Sequence, residues 1–197
     1  MNFTWRYLEM FSGIIEHCTR DFLLRNGELE IKLPFKCEIG DSVSVNGVCL
    51  TVKRVYNFWH YFDVGNETMK ITNLSFSKYL NIERALKIGD RLNGHFVMGH
   101  VDGLIRLVKT VKLFSTVYMY FTLPKERFAI VRKGSIALNG ISLTISNVSL
   151  DVFEVQVIPH TFENTNLKYL DIGELVNYEI DIFARYGGKK NETIYFD

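Results

Sequence analysis

A 29-residue stretch of this chain occurs twice, and that duplication limits the fold more than any local propensity does. Residues Asn46–Leu74 align without a gap on Asn139–Leu167 at a constant offset of 93 positions. Ten pairs are identical: Asn46/Asn139, Gly47/Gly140, Leu50/Leu143, Thr51/Thr144, Val55/Val148, Val64/Val157, Thr68/Thr161, Thr72/Thr165, Asn73/Asn166 and Leu74/Leu167. Fainter similarity extends outwards. Phe11-Ser12-Gly13 resembles Val97-Met98-Gly99, and Ile88-Gly89-Asp90 resembles Ile172-Gly173-Glu174. Copies of about 90 residues are domain-sized, so two similar domains are expected instead of a solenoid. The expected organisation is an extension over 1–9, one copy over 10–93, a second over 94–186 and a tail over 187–197.

The alternation within each copy is that of strands. Asn46-Gly47 sits between two alternating runs, the strongest short-range signal for a tight hairpin. A two-residue turn pairs Val45 with Val48, Ser44 with Cys49, Val43 with Leu50 and Ser42 with Thr51. One face then carries Val43, Val45, Val48, Leu50 and Val52, the other Ser42, Ser44, Cys49 and Thr51. The second copy repeats the arrangement, with Ile136, Leu138, Ile141, Leu143 and Ile145 opposite Ser135, Ala137, Ser142 and Thr144. Further strands are predicted at 61–64, 116–122, 153–158 and 176–182, all rich in aromatic and β-branched residues. Helical pattern is confined to short pieces around 75–83 and 125–131. The prediction is an all-β protein of two duplicated small barrels with short helices.

Charge and cysteine usage exclude several classes. Lys and Arg number 23 against 22 Asp and Glu, and they are scattered, so neither nucleic acid nor a membrane surface is favoured. Cys18, Cys37 and Cys49 form no CxxC pair and are odd in number, which points to a reduced, cytoplasmic setting without disulfides. No signal-peptide pattern and no apolar run of about 18 residues is present.

Three groups of residues are candidates for chemistry. The small polar face, with Ser42, Cys49, Thr51, Ser142 and Thr144, offers short hydrogen-bonding groups to a flat ligand. In Gly94–Gly103, His95 and His100 are five apart and point to opposite faces of a strand, which argues against a shared metal. His95 reads as structural. His100 follows a glycine where the backbone approaches a ligand closely, and an imidazole suits proton transfer near neutrality. The segments 62–68 and 155–161 both leave a strand for a Thr-x-x-x-Thr-Asn-Leu turn or short helix. Cys49 has no adjacent base that would mark a nucleophile. His17, His60 and Cys37 read as structural.

Six ordered motifs resemble the riboflavin synthase family: Met10–Glu16, Asn46–Val52, Gly94–Gly103, Asn139–Thr144, Ile158–Thr161 and Val176–Asp181. The resemblance covers Met10 to about Tyr186. It implies two six-stranded Greek-key barrels, usually assembled as a homotrimer. It also implies the last step of riboflavin biosynthesis, in which two 6,7-dimethyl-8-ribityllumazine molecules give riboflavin and 5-amino-6-(ribitylamino)pyrimidinedione. No metal or added cofactor takes part, and lumazine synthase is an implied partner. By motif, substrate contacts fall on Gly13, Ile14 and Ile15; Cys49, Leu50 and Thr51; Asp63, Val64, Gly65, Asn66, Glu67 and Thr68; and Gly99, His100 and Val101. The second barrel adds Lys133; Ser142, Leu143 and Thr144; and Ile158, Pro159, His160, Thr161, Phe162 and Glu163. Catalytic expectations rest on His100, Ser142, Thr144, Cys49 and Ser42, with Asp181 polarising a substrate or supporting a ribityl hydroxyl.

One departure from the family concerns its C-terminal helix. Here Ala184-Arg185-Tyr186 runs into Gly187-Gly188, and paired glycines disfavour helix. The main rival function is a non-catalytic lumazine- or flavin-binding protein of the optical-antenna type. Such a protein keeps ligand-binding residues in one barrel, whereas here both copies retain Ser or Cys and Thr at equivalent positions. A flavin-reductase barrel would need an attached nucleotide-binding domain with a glycine-rich turn, and no such motif occurs.

Overall fold

The structure is a computed structural model that describes residues 10–188. The proposed extension over 1–9 and the tail beyond Gly188 lie outside the described residues. The first copy contains β1 (His17–Thr19), β2 (Phe22–Arg25), β3 (Glu28–Lys32), β4 (Ser42–Val45), β5 (Val48–Tyr56), β6 (Trp59–Asp63), the helix α1 (Asn66–Ile71) and β7 (Leu80–Arg84). The second contains β8 (Gly103–Leu113), β9 (Thr116–Thr122), β10 (Ser135–Leu138), β11 (Ile141–Val148), β12 (Val152–Val157), α2 (Pro159–Asn164), β13 (Leu175–Ile180) and α3 (Ile182–Gly187).

The second copy closes into a barrel in the order β10-β11-β12-β9-β8-β13. The links from β9 to β10 and from β12 to β13 jump over intervening strands, as a Greek key requires. The first copy runs β1-β7-β4-β5-β6-β3-β2 and is nearly closed. Its seventh strand comes from a break. β1 and β2 occupy the position that β8 fills alone, and at the break the Asp21 N–H turns to the Thr19 hydroxyl.

Both predicted hairpins have the predicted register. Val45 pairs with Val48 and Ser42 with Thr51, while Leu138 pairs with Ile141 and Ser135 with Thr144. The apolar faces fill the barrels: none of Val43, Val45, Val48, Leu50, Val52 or Ile136, Leu138, Ile141, Leu143, Ile145 is more than 6% exposed. Each such side chain contributes about 1.5–3 kcal/mol on leaving water.

Two copies that look alike must still be joined, and asparagines make the joint. Asn46, Asn73 and Asn81 of the first copy meet Asn139, Asn166 and Asn177 of the second, all buried. Their bonds come in mirrored pairs. Asn73 Nδ2 donates to Asn139 Oδ1 at 2.9 Å, and Asn166 Nδ2 to Asn46 Oδ1 at 3.1 Å. Asn81 Nδ2 donates to the Asn139 carbonyl at 3.0 Å, and Asn177 Nδ2 to the Asn46 carbonyl at 2.8 Å. The hairpin tips touch, since a Cβ on Gly47 would lie 2.8 Å from the Gly140 nitrogen. Phe11 and Val97 exchange two backbone hydrogen bonds of 2.7 and 3.1 Å, as an antiparallel bridge.

Three expectations need correction. Residues 75–83 are not helical; they form a turn and then β7, whose first four residues are all buried. Leu80-Asn81-Ile82-Glu83 alternates as a strand does, but over only four residues, and its polar Asn81 and Glu83 are buried. The similarity of 88–90 to 172–174 is that of a shared local turn, with Gly89 at φ 98° and Gly173 at φ 96°, and not of equivalent places in the copies, because the first follows β7 and the second precedes its counterpart β13. The residues before the paired glycines form a short helix, contrary to expectation, and the glycines end it. Asp181 caps α3 by accepting from the Phe183 N–H at 2.9 Å, and Arg185 anchors it to Asp102 at 2.7 Å. Gly187 is its last residue and Gly188 its C-cap, a position where glycine is tolerated. Among the described residues no helix is long and apolar enough to cross a membrane.

Candidate active site

The segments 11–14 and 97–100 decide how the candidate residues group, because each crosses to the other barrel. Gly13 belongs to the first copy, yet its carbonyl accepts from the Ser142 N–H of the second at 2.8 Å. Gly99 belongs to the second copy, and its carbonyl accepts from the Cys49 N–H of the first at 3.0 Å. Both glycines take a positive φ, 75° and 76°, where an L side chain is strained. There is no room for one either: a Cβ on Gly99 would sit 2.5 Å from the Cys49 Cβ, and one on Gly13 2.6 Å from the Ser142 Cβ.

This crossing gives the small polar face a structural cause. Ser44 and Ala137 are 1% and 2% exposed, covered by the chain itself, so the inner half of the face is closed to a ligand. Cys49 and Ser142 are half-buried at its edge, and Thr51 and Thr144 are exposed beyond them. Ser42, opposite Thr51 across the hairpin, also lines a cavity of about 500 Å³ with Ser12, Ile14 and Glu83.

The crossing also regroups the predicted contacts. Around the first barrel's hairpin stand Cys49, Thr51, Gly99, His100 and Val101, and Val101 packs on that barrel's core. Asp63 ends β6 next to β5 and pairs with Lys53 at 2.7 Å, so 63–68 with α1 borders the same edge. Around the second barrel's hairpin stand Gly13, Ile15, Ser142 and Thr144, and Ile15 and Phe162 pack on that core. Ile15, His160 and Glu163 also line a cavity of about 410 Å³ beside α2. Ile158, Pro159 and Thr161 lie in and before α2, as Gly65, Asn66, Glu67 and Thr68 do for α1. Leu50, Leu143 and Val64 are buried in the cores, so only their backbone can meet a ligand. Lys133 has φ 68° and an N–H donating to Ile145 at 2.8 Å, where the first copy has Gly40 with φ 94° donating to Val52 at 2.8 Å.

His95, read from sequence as structural, touches the candidate site. Its Nδ1 lies 2.7 Å from the Ser142 hydroxyl. Burial lowers its pKa, and the charge of Asp181 partly offsets that. His100 is exposed, in the position that Ile14 holds in the other crossing segment. Asp181 is half-buried and spends one carboxylate oxygen on the α3 cap. His60 is structural as expected, its Nε2 accepting from the Cys37 N–H at 3.3 Å.

Sequence reasoning missed two carboxylates. Glu83 accepts from the Ser12 N–H and hydroxyl, each at 2.8 Å, and from the Gly13 N–H at 3.0 Å. Glu179 accepts from the Met98 N–H at 2.7 Å and the His100 N–H at 2.9 Å. Burial pushes each carboxyl up to about 7, against the downward pull of the N–H groups. The signal was a second repeat at a different offset: Asn81-Ile82-Glu83 and Asn177-Tyr178-Glu179, 96 positions apart.

Comparison with known proteins agrees with this duplicated architecture. The family model of the lumazine binding domain matches twice, over residues 12–85 and 98–181. A riboflavin synthase of Chlamydia muridarum is 40% identical over 187 residues, covering 89% of this chain and 92% of that protein. The riboflavin synthase of Actinobacillus pleuropneumoniae is 38% identical over 188 residues, covering 90% and 87%. Among solved structures, LumP complexed with riboflavin superposes with a TM-score of 0.76 at 24% identity, covering 87% of this chain and 99% of that one. With both copies matched, and with such identity over nine-tenths of its length, the chain belongs to the lumazine-binding family, alongside these riboflavin synthases.

Proposed function

We propose that the protein is a riboflavin synthase, with residues 10–93 and 94–186 as its two lumazine-binding units. The observation that carries this reading is the intact duplication: each hairpin keeps a thiol or hydroxyl followed two residues later by Thr, Cys49 and Thr51 in one copy and Ser142 and Thr144 in the other. Two alike pockets suit a reaction between two identical molecules. One lumazine gives up its two methyl-bearing ring carbons with their methyls, and the other gains them as the new benzenoid ring. The atoms balance without oxidant or reductant. The methyl at C7 is acidic because its anion delocalises through the heterocycle, so side chains need only position the rings and move protons. Holding the two rings in a reactive geometry removes a barrier of about 7–11 kcal/mol.

Ser142 and Thr144 would orient one ring, and Cys49, Thr51 and the Gly99–Val101 backbone the other, with His100 moving protons. Fixed N–H and hydroxyl groups stabilise charge as it develops on the ring. Gly13 and Gly99 lie two residues from the Phe11–Val97 bridge in opposite directions, which separates the two hairpin edges within one chain. Reacting atoms must come within about 3.5 Å. That separation supports a reaction between the first barrel of one chain and the second barrel of a neighbour, as in a homotrimer.

The test is turnover with purified protein and 6,7-dimethyl-8-ribityllumazine alone. One riboflavin formed for every two lumazines consumed supports the reading. Tight lumazine binding without riboflavin identifies instead a carrier, the second reading, which the likeness to LumP in fold keeps in view.

A further inference from the structure

We propose that Glu83 and Glu179 are positioning residues that act across the barrel boundary, each holding the segment that lines the other barrel's pocket. This rests on the reading of the two pockets as lumazine sites. Glu83 stands on β7 of the first barrel, but the Ser12-Gly13 turn it grips lies over Ser142 of the second. Glu179 stands on β13 of the second barrel and grips Met98 to His100, which lie over Cys49 of the first.

Several donors converge on each carboxylate within one turn. An ionised carboxyl only accepts, with about four lone-pair directions, so it can satisfy them together. An amide of the same shape turns its NH₂ group towards at least one N–H and leaves it unpaired. A buried unpaired N–H costs about 1–3 kcal/mol. That cost falls on the bend at Gly99 or Gly13, and with it on the carbonyl that Cys49 or Ser142 bonds. The side chains that follow, His100 and Ile14, are exposed and depend on the bend for their direction. Buried carboxylates that only braced the fold would affect both pockets, or the nearer one. Crossed segments predict that the farther pocket suffers.

The experiment follows backbone amide resonances of the full chain at pH 8 while a ribityllumazine lacking the C7 methyl, which can bind but not react, is added. Thr51 and Thr68 report on the first pocket, Thr144 and Thr161 on the second. Glu179→Gln is expected to weaken binding at Thr51 and Thr68 tenfold or more while Thr144 and Thr161 stay within twofold. Glu83→Gln is expected to give the reverse. Leu107→Ala, a cavity in the second barrel's core, lowers stability and leaves both affinities unchanged. If a glutamine variant does not fold, Glu179→Asp or Glu83→Asp keeps the charge but withdraws the carboxylate, and the same crossed pattern is expected. Equal loss at both pockets, loss confined to the mutated barrel's own pocket, or no loss at all overturns the proposal. A wild-type protein that shifts none of these amides overturns the functional reading itself.

Discussion

His95 Nδ1 lies 2.7 Å from Ser142 Oγ, which ties the loop between the two barrels to the hairpin of the second. The hydroxyl of a half-buried serine otherwise rotates freely, and a partner fixes its direction. His95→Phe should therefore lower kcat about tenfold, a barrier increase of about 1.4 kcal/mol, with little change in KM. Ser142→Ala should cost about the same, and the double variant little more than either. Steady-state kinetics on the three variants measures that coupling. The lowered pKa of His95 also has a stability consequence. The folded chain binds this proton less readily than the unfolded one, so stability falls as pH drops through the ordinary imidazole range. Denaturation midpoints of wild type and His95→Phe, compared across pH 5 to 7, should show the smaller slope in the variant.

Glu83 and Glu179 act in the opposite sense. Burial holds both carboxyls at about 7, above the carboxylate range of the unfolded chain. Between about pH 4.5 and 7 the folded state therefore binds more protons than the unfolded state, and stability falls as pH rises through that window. The fall is roughly 2–3 kcal/mol per carboxyl. Asp102 and Arg185 also face Glu179, the first raising its pKa while the second pairs with Asp102. Urea unfolding of Glu83→Gln and Glu179→Gln should show flatter profiles over this window. An unchanged slope in both would remove these groups as its source.

Gly13 and Gly99 admit no side chain. Gly99→Ala places a methyl against Cys49 and strains a φ of 76°, and Gly13→Ala does the same against Ser142. Each should destabilise the protein by about 2–4 kcal/mol. Gly65→Ala is the control, because nothing lies within 4 Å of the place its methyl would take. Its denaturation midpoint should stay close to that of wild type.

The asparagine joint predicts a large effect from a small deletion. Asn81→Ala removes the donor to the Asn139 carbonyl and to Asn166 Oδ1, and with them the acceptor of the Asn166 N–H. Buried partners left unpaired cost about 1–3 kcal/mol each. A loss of about 3 kcal/mol is expected in chemical denaturation. A loss below about 1 kcal/mol would mean that the barrels are joined mainly elsewhere.

Much of this was legible in the sequence because local chemistry and fold agree there. Asn46-Gly47 and Asn139-Gly140 set both hairpins to the residue, since their turn type fixes register and the apolar face fixes which side is inside. What sequence could not supply was the crossing of the 11–14 and 97–100 segments. Without it, the small residues Ser44 and Ala137 read as an open ligand surface, when they are small because the Gly140 tip packs beside Ser44 and Phe11 and Val97 pack with Ala137. The same gap hid Glu83 and Glu179, whose donors lie 71 and about 80 positions away. β7 misled for a different reason: it is only five residues long, and its alternation, Leu80-Asn81-Ile82-Glu83, is too short to stand out from the turn before it.

The claim on which the rest depends is that the two copies form two pockets for the same heterocycle. Equilibrium titration of the purified protein with a ribityllumazine lacking the C7 methyl, which binds without being consumed, counts them directly. Two bound molecules per chain are expected, one lost in a variant altered at Thr51 and the other in a variant altered at Thr144. A single site per chain, or two sites indifferent to both substitutions, would contradict the account.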